Sequence, residues 1–306
     1  MKVLLLLMSI YMIMGCYYII RDGDEKESTP INPTITEQKE LYCKLSRPAY
    51  DKNGYVHSRC DGSGFTSLYS LGCPDVDLYI FDDNGKLYRS PNHDCFVNGK
   101  SNGAKAESSR DMYLMRMIAA HEHGDLDFME RMIEFGEESH WIMCDGVDKI
   151  AQTRCIMSYD LIKLSYAIRD KLRGESVALD ENEAFTAIPL NTGYQAHLEV
   201  IKLWLKGRVY GAVTKYELNR LKRYAQREDK NALFNAIFHR YSDGDMSKAI
   251  ELISRYPKSR LPRSSDWCTE YLWQRDQQSH SWKPCNENKQ HSGTDFIFSW
   301  YVIKGG

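Results

Sequence analysis

The sequence predicts a mainly α protein built from helical hairpins, and three observations carry that expectation. Apolar residues recur at helical spacing over 110–122 and 126–138, and again over 231–241 and 246–255. Each pair is split by one device, Gly124-Asp125 and Gly244-Asp245: a glycine that ends one helix, then an aspartate that caps the next. The pairs also match in spacing. Leu126, Met129, Met132 and Ile133 answer to Met246, Ala249, Leu252 and Ile253, while Leu114, Met117 and Ile118 answer to Phe234, Ile237 and Phe238. Two hairpins built alike imply stacked helix pairs.

In chain order, Met1-Lys2 is followed by the apolar run VLLLLMSIYMIMGCYYII. A basic start and an apolar centre over 1–20 read as an export signal. Ile13-Met14-Gly15-Cys16 is similar to a bacterial lipobox, in which the Cys (here Cys16) is lipidated; Met14 departs from the usual small residue. An uncleaved anchor is the other reading, because about 18 apolar residues can just span a bilayer. All three outcomes, lipoprotein, anchor or cleaved signal, place the rest of the chain outside the cytoplasm, membrane-tethered through its N-terminus or secreted. Residues 21–40 are polar, charged and Pro-containing, and read as a flexible tether. Residues 41–306 hold no further linker and form one expected domain, a monomer.

Within that domain, Asp83-Asn84-Gly85 lies between apolar-aromatic runs and predicts a small β-hairpin near 78–90, the one convincing strand pair. The remainder is helical. Between the two matched hairpins lie 158–172, 194–206 with Tyr194, Leu198, Ile201 and Leu205 on one stripe, and 215–226, which Thr214 and Glu217 open as a capping box. A last apolar segment, 296–303, closes the chain.

Composition narrows the function classes. Lys+Arg 40 against Asp+Glu 42 leaves a formal net charge of −2, which offers no electrostatic ground for nucleic acid as a partner. There are nine cysteines. Setting Cys16 aside leaves Cys43, Cys60, Cys73, Cys95, Cys144, Cys155, Cys268 and Cys285, an even number suited to disulfides in an oxidising compartment. Cys144–Cys155 and Cys268–Cys285 are neighbours in sequence, and the other four cluster between 43 and 95. No metal is expected: there is no CxxC pair, and His121 and His123 in HEHGD are two residues apart, on different sides of a helix. No Gly-rich phosphate loop and no G-x-S-x-G is present, and no cofactor is expected.

Four aspartates stand at or just before apolar helical segments: Asp61, Asp111, Asp145 and Asp295. If alternate helices line the inside of an (α/α) toroid or partial toroid, the loops preceding them share one rim, and these carboxylates converge there. Glycosidic hydrolysis needs two carboxyls, one to protonate the leaving oxygen and one to activate water or attack directly. His93, Arg110, Arg154, Trp273, Arg275 and His291 lie in or near the same loops, as groups to hold sugar hydroxyls and faces.

The order CDG…F-x-x-L, DNGKLYRSPNHDC, SRD opening a helix, and W-x-M-C-D-G resembles exported glycan-degrading enzymes built as (α/α) helical barrels. The likeness covers roughly residues 60 to 155. It implies a glycoside hydrolase or a polysaccharide lyase acting on a polysaccharide, with acids at the N-terminal ends of inner helices. Carried over by position, Asp61 and Asp111 are the acid/base pair and Asp145 the alternate; His93, Arg110, Trp273, Arg275, His291 and Asp295 bind substrate. The chain is shorter than a full twelve-helix barrel usually requires.

Each residue also has a plainer role. An Asp in a first helical turn is favoured by the macrodipole alone, and Ser108 or Ser109 is an ordinary N-cap. Asp61 and Asp145 each precede Gly, a common turn pair. His197 and His239 fall inside helices as packing or solvent-facing residues. The alternative function is a non-catalytic surface lipoprotein that binds a glycan or a protein partner.

Overall fold

A computed structural model of the chain describes residues 19–21, 33–46, 62–73, 76–89, 96–97, 100–101, 108–143, 156–180, 184–187, 193–254 and 294–306. The protein is mainly helical, as the periodicity predicts. Ten helices are described: α1 Pro33–Ser46, α2 Gly62–Ser70, α3 Arg110–His123, α4 Leu126–Glu138, α5 Tyr159–Leu172, α6 Gly193–Tyr210, α7 Lys215–Arg227, α8 Ala232–Tyr241, α9 Ser247–Ser254 and α10 Thr294–Lys304. Among the described residues no helix is long and apolar enough to cross a membrane; residues 1–18, with Cys16, lie outside them.

The expected hairpin forms where Asp82–Asp83 (β2) pairs antiparallel with Lys86–Leu87 (β3). Asn84 and Gly85 both take positive φ at the turn. A Cβ on Gly85 would sit 2.2 Å from the Arg131 carbonyl oxygen, so α4 presses directly on the glycine backbone. Two further antiparallel pairs were not expected: Ile19–Arg21 (β1) with Ala212–Thr214 (β6), and Phe96–Val97 (β4) with Lys100–Ser101 (β5). The tether is also corrected in part. Residues 33–40 belong to α1, which begins on Pro33, the position where a proline is pre-organised for a helix. Its Ile35, Gln38 and Tyr42 are buried at helical spacing, and Tyr42 stacks on Phe296 of α10 at 4.5 Å between ring centroids.

Local chemistry terminates the helices as read at Gly124-Asp125 and Thr214, while at Gly244-Asp245 α8 ends earlier, with Ser242 as its C-cap, and α9 starts at Ser247. Gly124 is left-handed (φ 73°) and Asp125 accepts from the Phe128 N–H. Gly244 is left-handed as well (φ 74°), and Asp245 accepts from the Ser247 N–H at 2.9 Å. Thr214 and Glu217 form the reciprocal capping box of α7.

The direction of the helices follows from contacts at their two ends. Gly64 in α2 leaves room for the sulfurs of Met112 and Met115 in α3, while at the other end Ser70 Oγ lies 2.9 Å from His123 Nε2; the two helices run parallel. Thr294 of α10 donates to the Phe65 carbonyl and Ile297 fills the space beside Gly72, so α10 is parallel to α2. Asp160 meets Lys202, and Lys171 reaches the carbonyls of Arg208 and Val209, which makes α5 parallel to α6. His197 faces the Phe234 ring and Tyr241 donates to the Trp204 carbonyl, so α8 follows α6. Tyr166 of α5 and Arg173, its C-cap, pair with Glu137 and Glu130 of α4, which therefore runs the opposite way. Packing runs from α2 to α3, α5, α6, α8 and α10, and from α10 back to α2. Trp204 of α6, fully buried, meets Phe298 of α10 edge-on at 5.2 Å.

Candidate functional site

Because α2, α3, α5 and α10 run parallel, their first turns lie at one end of the molecule. Ser109 occupies the N-cap position of α3 in extended conformation, yet its hydroxyl does not cap the helix. It donates to Asp111 in a short hydrogen bond and accepts from the Arg89 guanidinium at 3.1 Å. Arg89 in turn accepts, through its carbonyl, from the Ser63 N–H in the first turn of α2. The Tyr113 hydroxyl accepts from the Leu87 N–H at 2.9 Å and donates to the Met143 carbonyl at 3.3 Å. The hairpin, α2, α3 and the stretch that follows α4 at Met143 are thus tied to one spot. Hydroxyls of Ser63 and Ser108 are buried here with no hydrogen-bond partner among the described residues.

Asp111 itself is only 1% exposed, and Arg110 beside it is exposed. Asp295 falls in the first turn of α10, whose Thr294 is bonded to α2. Gly62 and Met143 are described, but Asp61 and Asp145 lie outside the described residues, as do His93, Arg154, Trp273, Arg275 and His291. Of the cysteines, Cys43 and Cys73 form a disulfide with Cα atoms 5.4 Å apart, within the cluster expected between 43 and 95. Cys60, Cys95, Cys144, Cys155, Cys268 and Cys285 are outside the described residues.

Sequence reading missed a buried charge network behind this end. Asp160, in the first turn of α5, accepts from Lys202 Nζ at 2.9 Å and from the Thr186 N–H at 3.0 Å. Lys202 also meets Glu199, which contacts Arg220, and Lys206 meets Glu217 at 2.7 Å. Burial pushes both lysines below their ordinary range, against the pull of their acidic partners. A signal was present: Ser158-Tyr159-Asp160 repeats the Ser-x-Asp order of Ser109-Arg110-Asp111.

The opposite end carries different chemistry. Glu122 takes hydrogen bonds from His121, Arg208 and Tyr301, joining the C-terminal turns of α3, α6 and α10. Burial raises its carboxyl, but those bonds outweigh it and hold Glu122 at about 2. Nearby, where α2 and α3 end, a cleft of about 730 Å³ opens between Ser70, Asp77, Tyr79, His123, Asp125 and Asp127. It does not adjoin Asp111, which lies at the start of α3. Among the described residues no group of three or more His, Cys, Asp or Glu is placed to hold a metal ion. No protein-family model, curated protein or solved structure matches the chain.

Proposed function

We propose that the chain is an exported glycan-degrading enzyme whose helices close as an (α/α) toroid, with its active site at the N-terminal ends of α2, α3, α5 and α10. One observation supports this above all: the helix that Asp111 opens and the helix that follows Asp61 run parallel, with their first turns tied through Arg89. Carboxylates at helix N-termini face the positive end of the macrodipole. One of a catalytic pair remains ionised there, and the other must hold a proton for the leaving oxygen. Asp61 and Asp111 are the pair and Asp145 the alternate. The substrate is a polysaccharide.

A second reading, glycan binding without cleavage, is favoured by the burial of Asp111, because a catalytic carboxyl has to meet the scissile bond. Reducing-end release by the full-length chain on a panel of polysaccharides separates the two. The enzyme reading expects activity that falls by about 10²-fold or more in Asp61→Asn and in Asp111→Asn, with circular dichroism unchanged. Activity retained in both variants would remove the pair, and absence of cleavage with retention on a glycan affinity gel would favour binding alone.

A further inference from the structure

We infer that the outer face of α7 rests on an anionic lipid bilayer, to which the N-terminal segment holds it; this depends on the membrane-tethered reading of residues 1–20 and is independent of glycan cleavage. The formal net charge of −2 conceals two helices of opposite sign. The exposed positions of α4 are Asp127, Glu130, Glu134, Glu137 and Glu138. In α7 the balance is reversed. Its sequence KYELNRLKRYAQR holds one acid, Glu217, and that is buried. Its exposed positions are Lys215, Tyr216, Asn219, Lys222, Arg223 and Gln226. Lys215, Asn219, Lys222, Arg223 and Gln226 recur at helical spacing and share one face. None of its three cations is paired with an acid among the described residues. The other side, with Glu217, Arg220, Leu221 and Tyr224, is buried and holds the helix to the core. An amphipathic helix with a basic outer face suits a surface of lipid phosphates.

The course of the chain points to the same place without reference to charge. Ile19 of β1 partners Thr214 of β6, and Thr214 is the N-cap of α7. Because the pair is antiparallel, the N-terminal end of β1 lies at the start of α7. Ile19 and Ile20 are the last residues of the apolar run, and only Tyr17 and Tyr18 separate Cys16 from the strand. A lipid on Cys16, or a run retained in the bilayer, thus reaches the start of α7 within about 10 Å of chain. Tyr216, 49% exposed, stands at that start, and tyrosine is a residue of membrane–water interfaces. Tethering so close raises the local concentration of lipid phosphates, so that even three cations suffice to dock the face. A soluble polyanion, or the acidic α4 of a second copy, would match the charge as well. Only a bilayer also accounts for where the apolar run joins the fold.

The test is the reactivity of individual lysines toward a water-soluble amine reagent, read by mass spectrometry on the full-length chain bound to vesicles. Neutral vesicles are phosphatidylcholine, and in anionic ones about a third of the lipid is phosphatidylglycerol. Lys215 and Lys222 are expected to react about fivefold more slowly on anionic vesicles than on neutral ones. Lys248, exposed on α9, should react alike on both. Salt at about 1 M, which cuts the screening length to about 3 Å, should erase the difference. So should Lys222→Glu with Arg223→Glu, read at Lys215 with circular dichroism unchanged. Equal reactivity of Lys215 and Lys222 on the two vesicle types overturns the proposal. Two other results overturn it as well: protection without vesicles that grows with protein concentration, which assigns the face to a second copy, and protection by heparin but not by anionic vesicles. Failure of the tether looks different, because the chain then does not float with neutral vesicles. The face alone still requires flotation with anionic vesicles that the double variant abolishes, and absence of that flotation overturns it.

Discussion

Asp111 and Glu122 stand near the two ends of one helix and show how differently a buried carboxylate can be held. Asp111 is bonded to the hydroxyl of its own N-cap serine, whereas Glu122 is enclosed by Arg208, His121 and Tyr301. The second arrangement has a readable pH signature. The ordinary value for the Glu122 carboxyl is 4.5 and its folded value is about 2. A group lowered on folding stabilises the fold fully above the ordinary value, and that stabilisation disappears as pH falls through the folded one. The thermal midpoint of the parent should therefore exceed that of Glu122→Gln most clearly at pH 7, by about 3 kcal/mol of stability, and the gap should narrow steadily between pH 4.5 and 2. A gap that stays constant over that window would mean that the ion pair is not what Glu122 contributes.

Among the elements, those with a local signature are legible in the sequence itself. Gly124-Asp125 ends and starts helices as read, because left-handed glycine and capping aspartate act within a few residues; Gly244-Asp245 does so less closely, since α8 already ends at Tyr241 and α9 begins at Ser247. The α7 capping box is another such case, and it reaches into the core: Glu217 also accepts from Lys206 and from the Phe185 N–H. Thr214→Ala should cost about 1 kcal/mol in chemical denaturation. Glu217→Ala should cost several times more, since it strands a buried lysine; equal costs would show that the box acts as a cap alone. What escaped the sequence was α1, in which Ile35, Gln38 and Tyr42 are buried but are diluted by Pro, Thr, Glu and Lys. The strand pair β1–β6 escaped as well, because it joins residues almost two hundred apart and no local rule reaches that far.

Across the whole molecule, the parallel course of α2, α3, α5, α6, α8 and α10 gives the chain two unlike ends. One end gathers helix N-termini with Asp111, Arg89 and buried serines; the other gathers C-termini with the Glu122 cluster and the Tyr79 cleft. The sequence singled out Asp111 and Asp295 at helix starts, and both fall at starts of parallel helices. It did not reveal Asp160 with its Lys202 partner, nor the cleft, since each depends on side chains from separate helices meeting. The measurement that tests the central claim most directly is the separation of the Asp61 and Asp111 carboxyl groups in a crystal structure of the full-length chain. The account predicts about 5 to 9.5 Å, the range that serves glycosidic cleavage. A separation beyond about 15 Å would contradict it.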